Sequence, residues 1–175
     1  MPFNYNMIIS TPRNFENDAL AELDFLIHQV FPENKLNYGK TIVNGLVWGN
    51  IVDVDPVLAV HRIKDFVTEK GFTLQFLLKF VPIQKVMETN FDEIERYVLS
   101  QVDQIRDDEK YKIIVNKRRI HNEKIEIIER IAKNIHKTVD LDHPDKIIRL
   151  EIIGKYTGIS ILKEDDVFSV GKKFI

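Results

Sequence analysis

Two runs of strand-forming residues, IIRLEII at 147–153 and YTGISIL at 156–162, stand only Gly154 and Lys155 apart, so the chain must double back there as a hairpin. What precedes the hairpin narrows the fold further. Residues 111–116 alternate as a strand, Lys117, Arg118 and Arg119 project just past it, and Ile128, Ile131, Ala132 and Ile135 repeat at helical spacing. The turn VDLDHPD at 139–145 then leads into the hairpin. Upstream, Thr89 or Asn90 is placed to cap a helix whose apolar face is Phe91, Ile94, Val98, Val102 and Ile105, ended by Asp107 and Asp108. The second half therefore reads α-β-α-β-β, with a basic strand end in front of a helix.

The first half has its own pattern. Residues 5–11 (YNMIIST) read as a strand, and Asn14 is placed to cap a helix with Ala19, Leu23, Leu26, Ile27 and Val30 on one face. Residues 41–51 hold two short apolar runs hinged at Asn44 and Gly45. Asp55 and Pro56 open a second helix, Gly71 stands just past its end, and residues 72–81 read as a strand. The order β-α-β-β-α-β predicts a ferredoxin-like four-stranded antiparallel sheet with two helices on one face. Residues 82–88 (PIQKVME) read as a linker, which gives an α/β (α+β) chain with domains at 1–82 and 83–175. In the tail, Val167, Phe168 and Val170 suit a short helix or an edge strand.

At 175 residues, 44% hydrophobic and 30% charged, the chain can bury one good core or two small ones, as a soluble globular protein does. It has no cysteine, which removes disulfides, thiolate metal sites and a cysteine nucleophile and suits a cytoplasmic location. The N-terminus lacks the basic flank and apolar run of a signal peptide, and no segment approaches the roughly 20 apolar residues of a membrane span. No membrane partner is expected.

A net charge of −2 rules out a surface coated in phosphate-binding groups, so any nucleic-acid site must be local. Residues 110–124 supply one candidate. Lys110, Lys112, Lys117, Arg118, Arg119 and Lys124 face a single acid, Glu123, for a local charge of +5. The cluster lies at a strand-to-helix turn, where backbone amides can also meet phosphate. The bland alternative is a solvated strand and helix face.

Catalytic motifs are missing from the sequence. No SGGxDS phosphate loop, GxGxxG turn or GxSxG elbow occurs. Gly39-Lys40-Thr41 resembles the end of a P-loop, but Asn34 stands where the loop needs its first glycine. Asp140, Asp142, His143 and Asp145 lack the glycine and distal glutamate of a calcium loop, and they read as a turn in which Asp140 and Asp142 accept backbone amides. His28, His61 and His136 lie on helices without a partner at ligand spacing, and only His121 adjoins the basic cluster. The expectation is a chain with no catalytic residue, cofactor or metal. Phe66, Phe76, Phe80 and Phe91 fit apolar faces, Tyr156 suits either edge packing or stacking on an unpaired base, and Trp48 is left undecided.

The order of the second half, with VDLxxPD ahead of a paired hairpin, resembles the THUMP domain, an RNA-binding module of tRNA-modifying proteins. NMIIST at 6–11 running on into PRNFE, and FVPIQKVMETN at 80–90, are similar to stand-alone THUMP proteins in which a ferredoxin-like domain comes first. The resemblance covers nearly the whole chain. It implies kinship with the adaptor that presents tRNA to an RNA cytidine acetyltransferase for N4-acetylcytidine formation in the D-arm of serine and leucine tRNAs. The THUMP unit would then hold the unpaired 3′ end while the ferredoxin-like unit contributes to the acceptor stem. The RNA-binding residues implied are Lys112, Lys117, Arg118, Arg119, His121, Lys124, Lys155 and Tyr156. Stand-alone relatives often carry Arg-Asn where Lys117, Arg118 and Arg119 stand, which leaves open which of the three inherits the role. Other branches carry an enzyme after the THUMP domain, and this chain is expected to stop before one fits. Two further readings are the RNA-binding portion of a tRNA thiolation or methylation enzyme, and a ferredoxin-like ligand-binding or oligomerisation module.

Overall fold

The computed structural model describes residues 4–171 and divides the chain into two compact units. One runs up to Gln84 and regains the chain from Asp165 on; the other is Lys85–Glu164.

In the first unit, β1 (Met7–Ser10), α1 (Glu16–Val30), β2 (Leu36–Lys40), β3 (Leu46–Ile51), α2 (Pro56–Glu69) and β4 (Lys79–Pro82) follow one another. The strands lie in the order β4-β1-β3-β2, each pair antiparallel, which is the ferredoxin-like arrangement. Apolar residues at helical spacing drive the packing: Ala19, Leu23, Leu26, Ile27 and Val30 of α1 and Ala59, Val60, Ile63 and Val67 of α2 share one core with Met7, Ile9, Val47, Ile51 and Phe80. Asp55 caps α2, its Oδ2 accepting the Leu58 amide at 2.9 Å, and Pro56 occupies the first turn.

Three local expectations are corrected. Asn14 does not cap α1: its backbone is left-handed at φ 70°, and the cap position falls to Phe15 without a side-chain bond. The Glu16 carboxylate ties this entry instead, accepting the Gly45 amide at 2.6 Å and the Asn14 amide at 3.3 Å, and these amides, that of Gly45 foremost, hold its carboxyl below the ordinary value. The first arm of the hairpin lies at Leu36–Lys40, because Thr41 bonds Leu46 O and the Val43 amide and so pulls the next residues into the turn around Gly45. Residues 72–78 are not strand, since the Glu22 carboxylate accepts the amides of Gln75, Phe76 and Leu77 at 2.7, 2.8 and 2.9 Å. A ladder needs those donors free.

The second unit contains β5 (Lys85–Glu88), α3 (Phe91–Gln101), β6 (Lys110–Arg118), α4 (Lys124–Ala132), β7 (Thr138–Val139), β8 (Lys146–Ile153) and β9 (Tyr156–Leu162). Its sheet runs β5-β9-β8-β6-β7, with β6 parallel to both β7 and β8 and the β8–β9 hairpin antiparallel. The presumed linker is in part strand: Lys85–Glu88 pairs with β9 and covers the outer edge of the hairpin, which would otherwise expose a row of unpaired backbone groups. Asn90 caps α3 by accepting the Asp92 and Glu93 amides. That helix gives way to a 3-10 turn at Val102–Gln104, before Asp107 and Asp108. Both helices pack Ile94, Val98, Ile127 and Ile131 against Tyr111, Val115, Ile148, Leu150 and Ile159 on one face of the sheet.

The other face holds a polar cluster. The parallel register sets Asn116 beside Glu151 and Ile114 beside Arg149. Glu151 is 1% exposed and takes three donors: Asn116 Nδ2 at 3.0 Å, Arg149 Nε at 2.8 Å and Arg118 Nη1 at 2.7 Å. Burial pushes its carboxyl up, but the two guanidiniums and the bonds from Asn116 and Arg118 outweigh it and hold the group below its ordinary value of 4.5. Beyond this unit the tail, expected to stay with the second domain, returns as β10 (Phe168–Ser169) on the edge of the first sheet beside β4. There Phe168 stacks on Phe80.

Two stability measurements check these contacts. Urea unfolding of Glu22→Ala is expected to show a loss of about 1–3 kcal/mol, because three backbone donors lose a charged acceptor together; an unchanged midpoint would mean that residues 72–78 are held by packing alone. Glu151→Gln is expected to cost about 3 kcal/mol at neutral pH, since two partly buried cations lose their counter-charge. Because folding depresses the Glu151 pKa, its contribution is complete above 4.5 and fades as pH falls below that value. The unfolding free energy of the Gln variant should therefore fall less steeply on acidification, and parallel acid limbs for the two proteins would contradict this.

Candidate functional site

Strand β6 ends at Arg118, so Lys117 and Arg118 belong to the sheet instead of lying beyond it, and only Arg119 steps out. Arg119 does so in a left-handed conformation, φ 64°, which an arginine adopts at some cost and an asparagine adopts readily. That is where the chain leaves the sheet for α4. Strand alternation puts Lys117 and Arg118 on opposite faces: Lys117 is in register with Ile152 on the helical side, Arg118 with Ile153 on the other.

The hairpin tip is tied to this strand end. The Gly154 amide donates to Arg118 O at 2.8 Å, and Gly154 takes the positive φ of 55° that the turn requires. Thr89 holds the tip from its other side, with Oγ1 donating to Gly154 O at 2.7 Å and its amide to Lys155 O at 2.8 Å. Exposed Lys155 is thus fixed beside Arg118 and Arg119, and Tyr156 opens β9 half-buried, opposite Ile153 and Glu88. His121 and Lys124 stand exposed on the segment entering α4, a helix whose first turn has no side-chain cap.

Of the residues singled out in the sequence, Lys117, Arg118, Arg119, Lys155 and Tyr156 gather at one end of the sheet, with His121 and Lys124 on the adjoining connection. Lys112 does not join them. It lies near the start of β6, six residues or about 20 Å before Arg118, and its Nζ reaches Leu141 O at 3.4 Å.

Charge pairing separates these cations further. Lys110 pairs with Asp140 at 3.5 Å, Lys137 with Asp107 at 2.6 Å, Lys146 with Glu109 at 3.2 Å, and Arg118 with Glu151. Among the described residues, no carboxylate lies within ion-pair distance of Lys117, His121, Lys124 or Lys155. The +5 of the sequence is therefore partly spent; Lys112 keeps its charge near the start of β6, and Lys117, Lys124 and the neighbouring Lys155 keep theirs at the strand end and the entry to α4. The Asp140 turn is committed elsewhere: one oxygen accepts the His143 and Asp142 amides at 2.9 and 3.0 Å, which hold its carboxyl below the ordinary range, and Asp145 accepts the Lys110 amide at 2.8 Å.

Sequence reading missed four residues. Thr89 locks the tip, and Ile125, 58% exposed in the first turn of α4, sets an apolar group among the cations. Arg149 and Glu151 were overlooked although their spacing of two, inside a run of isoleucine and leucine, marks a polar pair on one face of a buried strand.

Comparison with known proteins fits this geometry. Residues 88–162 match the model of the THUMP domain. In fold the chain is similar to TrmN from Thermus thermophilus, with a TM-score of 0.56 at 15% identity over 89% of this chain and 44% of that one. It is similar to PH1313 from Pyrococcus horikoshii Ot3, with 0.58 at 13% over 91% and 55%, and to a 4-thiouridine synthetase solved with RNA and bound ATP, with 0.56 at 14% over 95% and 42%. The chain spans about half the length of these solved structures. No curated protein matches it. A ferredoxin-like unit thus accompanies the α-β-α-β-β unit of residues 88–162, and that second unit matches the THUMP domain.

Proposed function

We propose that this chain is a tRNA-binding adaptor, without catalytic activity of its own, that presents tRNA to an RNA cytidine acetyltransferase for N4-acetylcytidine formation. The observation that carries the RNA-binding part is the basic end of the THUMP sheet, where Lys117 and Lys155, with no carboxylate at ion-pair distance among the described residues, are brought together beside exposed Arg119 by the Gly154–Arg118 bond and the Thr89 clamp. Lys124 and His121 extend it along the entry to α4. Such cations supply affinity for phosphate, while an unpaired 3′ end supplies selectivity, with Tyr156 as a stacking surface. The likeness in fold to a 4-thiouridine synthetase solved with RNA supports the same reading. The acetyltransferase partner rests on the resemblance of NMIIST and FVPIQKVMETN to stand-alone THUMP proteins.

A second reading, the RNA-binding portion of a tRNA thiolation or methylation enzyme, is favoured by one finding. The chain accounts for only 42–55% of each solved structure it resembles.

Two experiments separate these readings and test the surface. At one fixed salt concentration, intact tRNA is expected to bind more tightly than tRNA trimmed of its 3′ end or a hairpin of equal length. Arg119→Asn with Lys155→Ala should weaken intact tRNA by about 1–3 kcal/mol without lowering the unfolding midpoint, because exposed charges contribute little to folding and asparagine suits the left-handed backbone at position 119. Equal affinity for all three RNAs, or an indifferent double variant, would remove the proposed site. Purified protein with tRNA, acetyl-CoA and ATP should leave the RNA unmodified until an acetyltransferase is added. Modified nucleoside detected by mass spectrometry with this protein alone would favour the enzyme reading.

A further inference from the structure

Glu151 is matched by two cations instead of one. Arg118 Nη1 lies 2.7 Å from one of its oxygens and Arg149 Nε 2.8 Å from the other, and among the described residues no other carboxylate lies within ion-pair distance of either guanidinium. Two guanidiniums on one carboxylate leave a surplus of one positive charge. The Arg149 side chain is 8% exposed and that of Arg118 26%, so the surplus sits where water compensates it poorly and reaches solvent through Arg118.

The geometry at Arg118 gives that surplus a direction. Nη1 is engaged by Glu151, with Asn116 O at a longer 3.5 Å. Among the described residues neither Nε nor Nη2 of Arg118 has an acceptor. Those two nitrogens form one edge of the planar guanidinium, with two parallel N–H groups at the spacing of two phosphate oxygens. A single Arg–Glu pair would neutralise this edge. Here Arg149 draws on the same carboxylate, so the charge of Arg118 is only partly balanced while Glu151 fixes its orientation. In register with Arg118, in order across the sheet, stand Ile153, Tyr156 and Glu88.

We propose that the Nε/Nη2 edge of Arg118 is a phosphate fork, oriented by Glu151 and left incompletely balanced because Arg149 shares that carboxylate, that takes a phosphate group of the bound RNA. It rests on the RNA-binding reading. Arg118 would touch the ligand; Glu151 and Arg149 are positioning residues that act through it.

The test reads the arginine Nε–Hε signals by NMR in the intact chain, with the Arg118 signal assigned by its loss in Arg118→Lys. Titrated with inorganic phosphate, the wild-type Arg118 signal is expected to move more than that of Arg149. Phosphate should bind about fivefold more weakly in Arg149→Gln, with most of the affinity kept in Arg149→Lys, which retains the charge. A wild-type Arg118 signal that ignores phosphate overturns the fork, and needs no variant that has to fold. Equal phosphate affinity in folded Arg149→Gln and wild type removes the role of Arg149. A parallel titration with intact tRNA separates the two proposals. If phosphate moves Arg118 but the protein fails to bind tRNA, the RNA reading falls and the anion site stands. If tRNA binds while the Arg118 signal stays in place, the fork falls and the RNA reading stands.

Discussion

The parallel pairing of β6 with β8, closed at its end by the Gly154 amide on the Arg118 carbonyl, is the constraint on which the candidate site depends. It sets the register that puts Asn116 beside Glu151, and it brings the hairpin tip to the end of the basic strand. Without that bond Lys155 would belong to a loose turn and Arg119 to a loose connection. Thr89 reinforces the tip through its own side chain and amide, so the chain entering α3 and the chain leaving β6 meet at one fixed point. A rigid scaffold that ends in exposed cations is a common way to present charge to an extended polyanion.

Electrostatics divides the second unit into cations that are spent and cations that are available. Lys110, Lys137 and Lys146 hold turns together through Asp140, Asp107 and Glu109, and the bond from Lys137 holds the Asp107 carboxyl below its ordinary range. Lys117, Lys124 and Lys155 have no such duty among the described residues. A chain with a net charge of −2 can therefore carry a locally positive end without attracting polyanions over its whole surface. Arg118 belongs to neither group: it is paired, yet it shares its partner.

The elements most legible in the sequence were those written in a single period. The helical faces of α1 and α3, the Asp55-Pro56 start of α2 and the hairpin at Gly154 all follow from residue spacing or from a turn residue. The elements that were misread are those settled by a distant side chain. Nothing local to residues 72–78 says that Glu22, more than fifty residues earlier, will take three of their amides. Nothing local to Lys85–Glu88 says that β9 needs an edge partner. The basic site was legible as composition, but not as geometry. Sequence placed Lys112 with the cluster because it is near in number, and strand rise put it about 20 Å away. It also treated Lys117, Arg118 and Arg119 as one group, where alternation and a left-handed residue send them three ways.

The most direct test of the account is to map backbone amide shifts in the intact chain as a short RNA ending in an unpaired 3′ strand is added. The account predicts that the perturbed amides concentrate at residues 117–125 and 154–156, with Thr89 among them and the β6 start near Lys112 unchanged. Perturbations confined to the ferredoxin-like unit, or spread evenly over the lysines of both units, would contradict it.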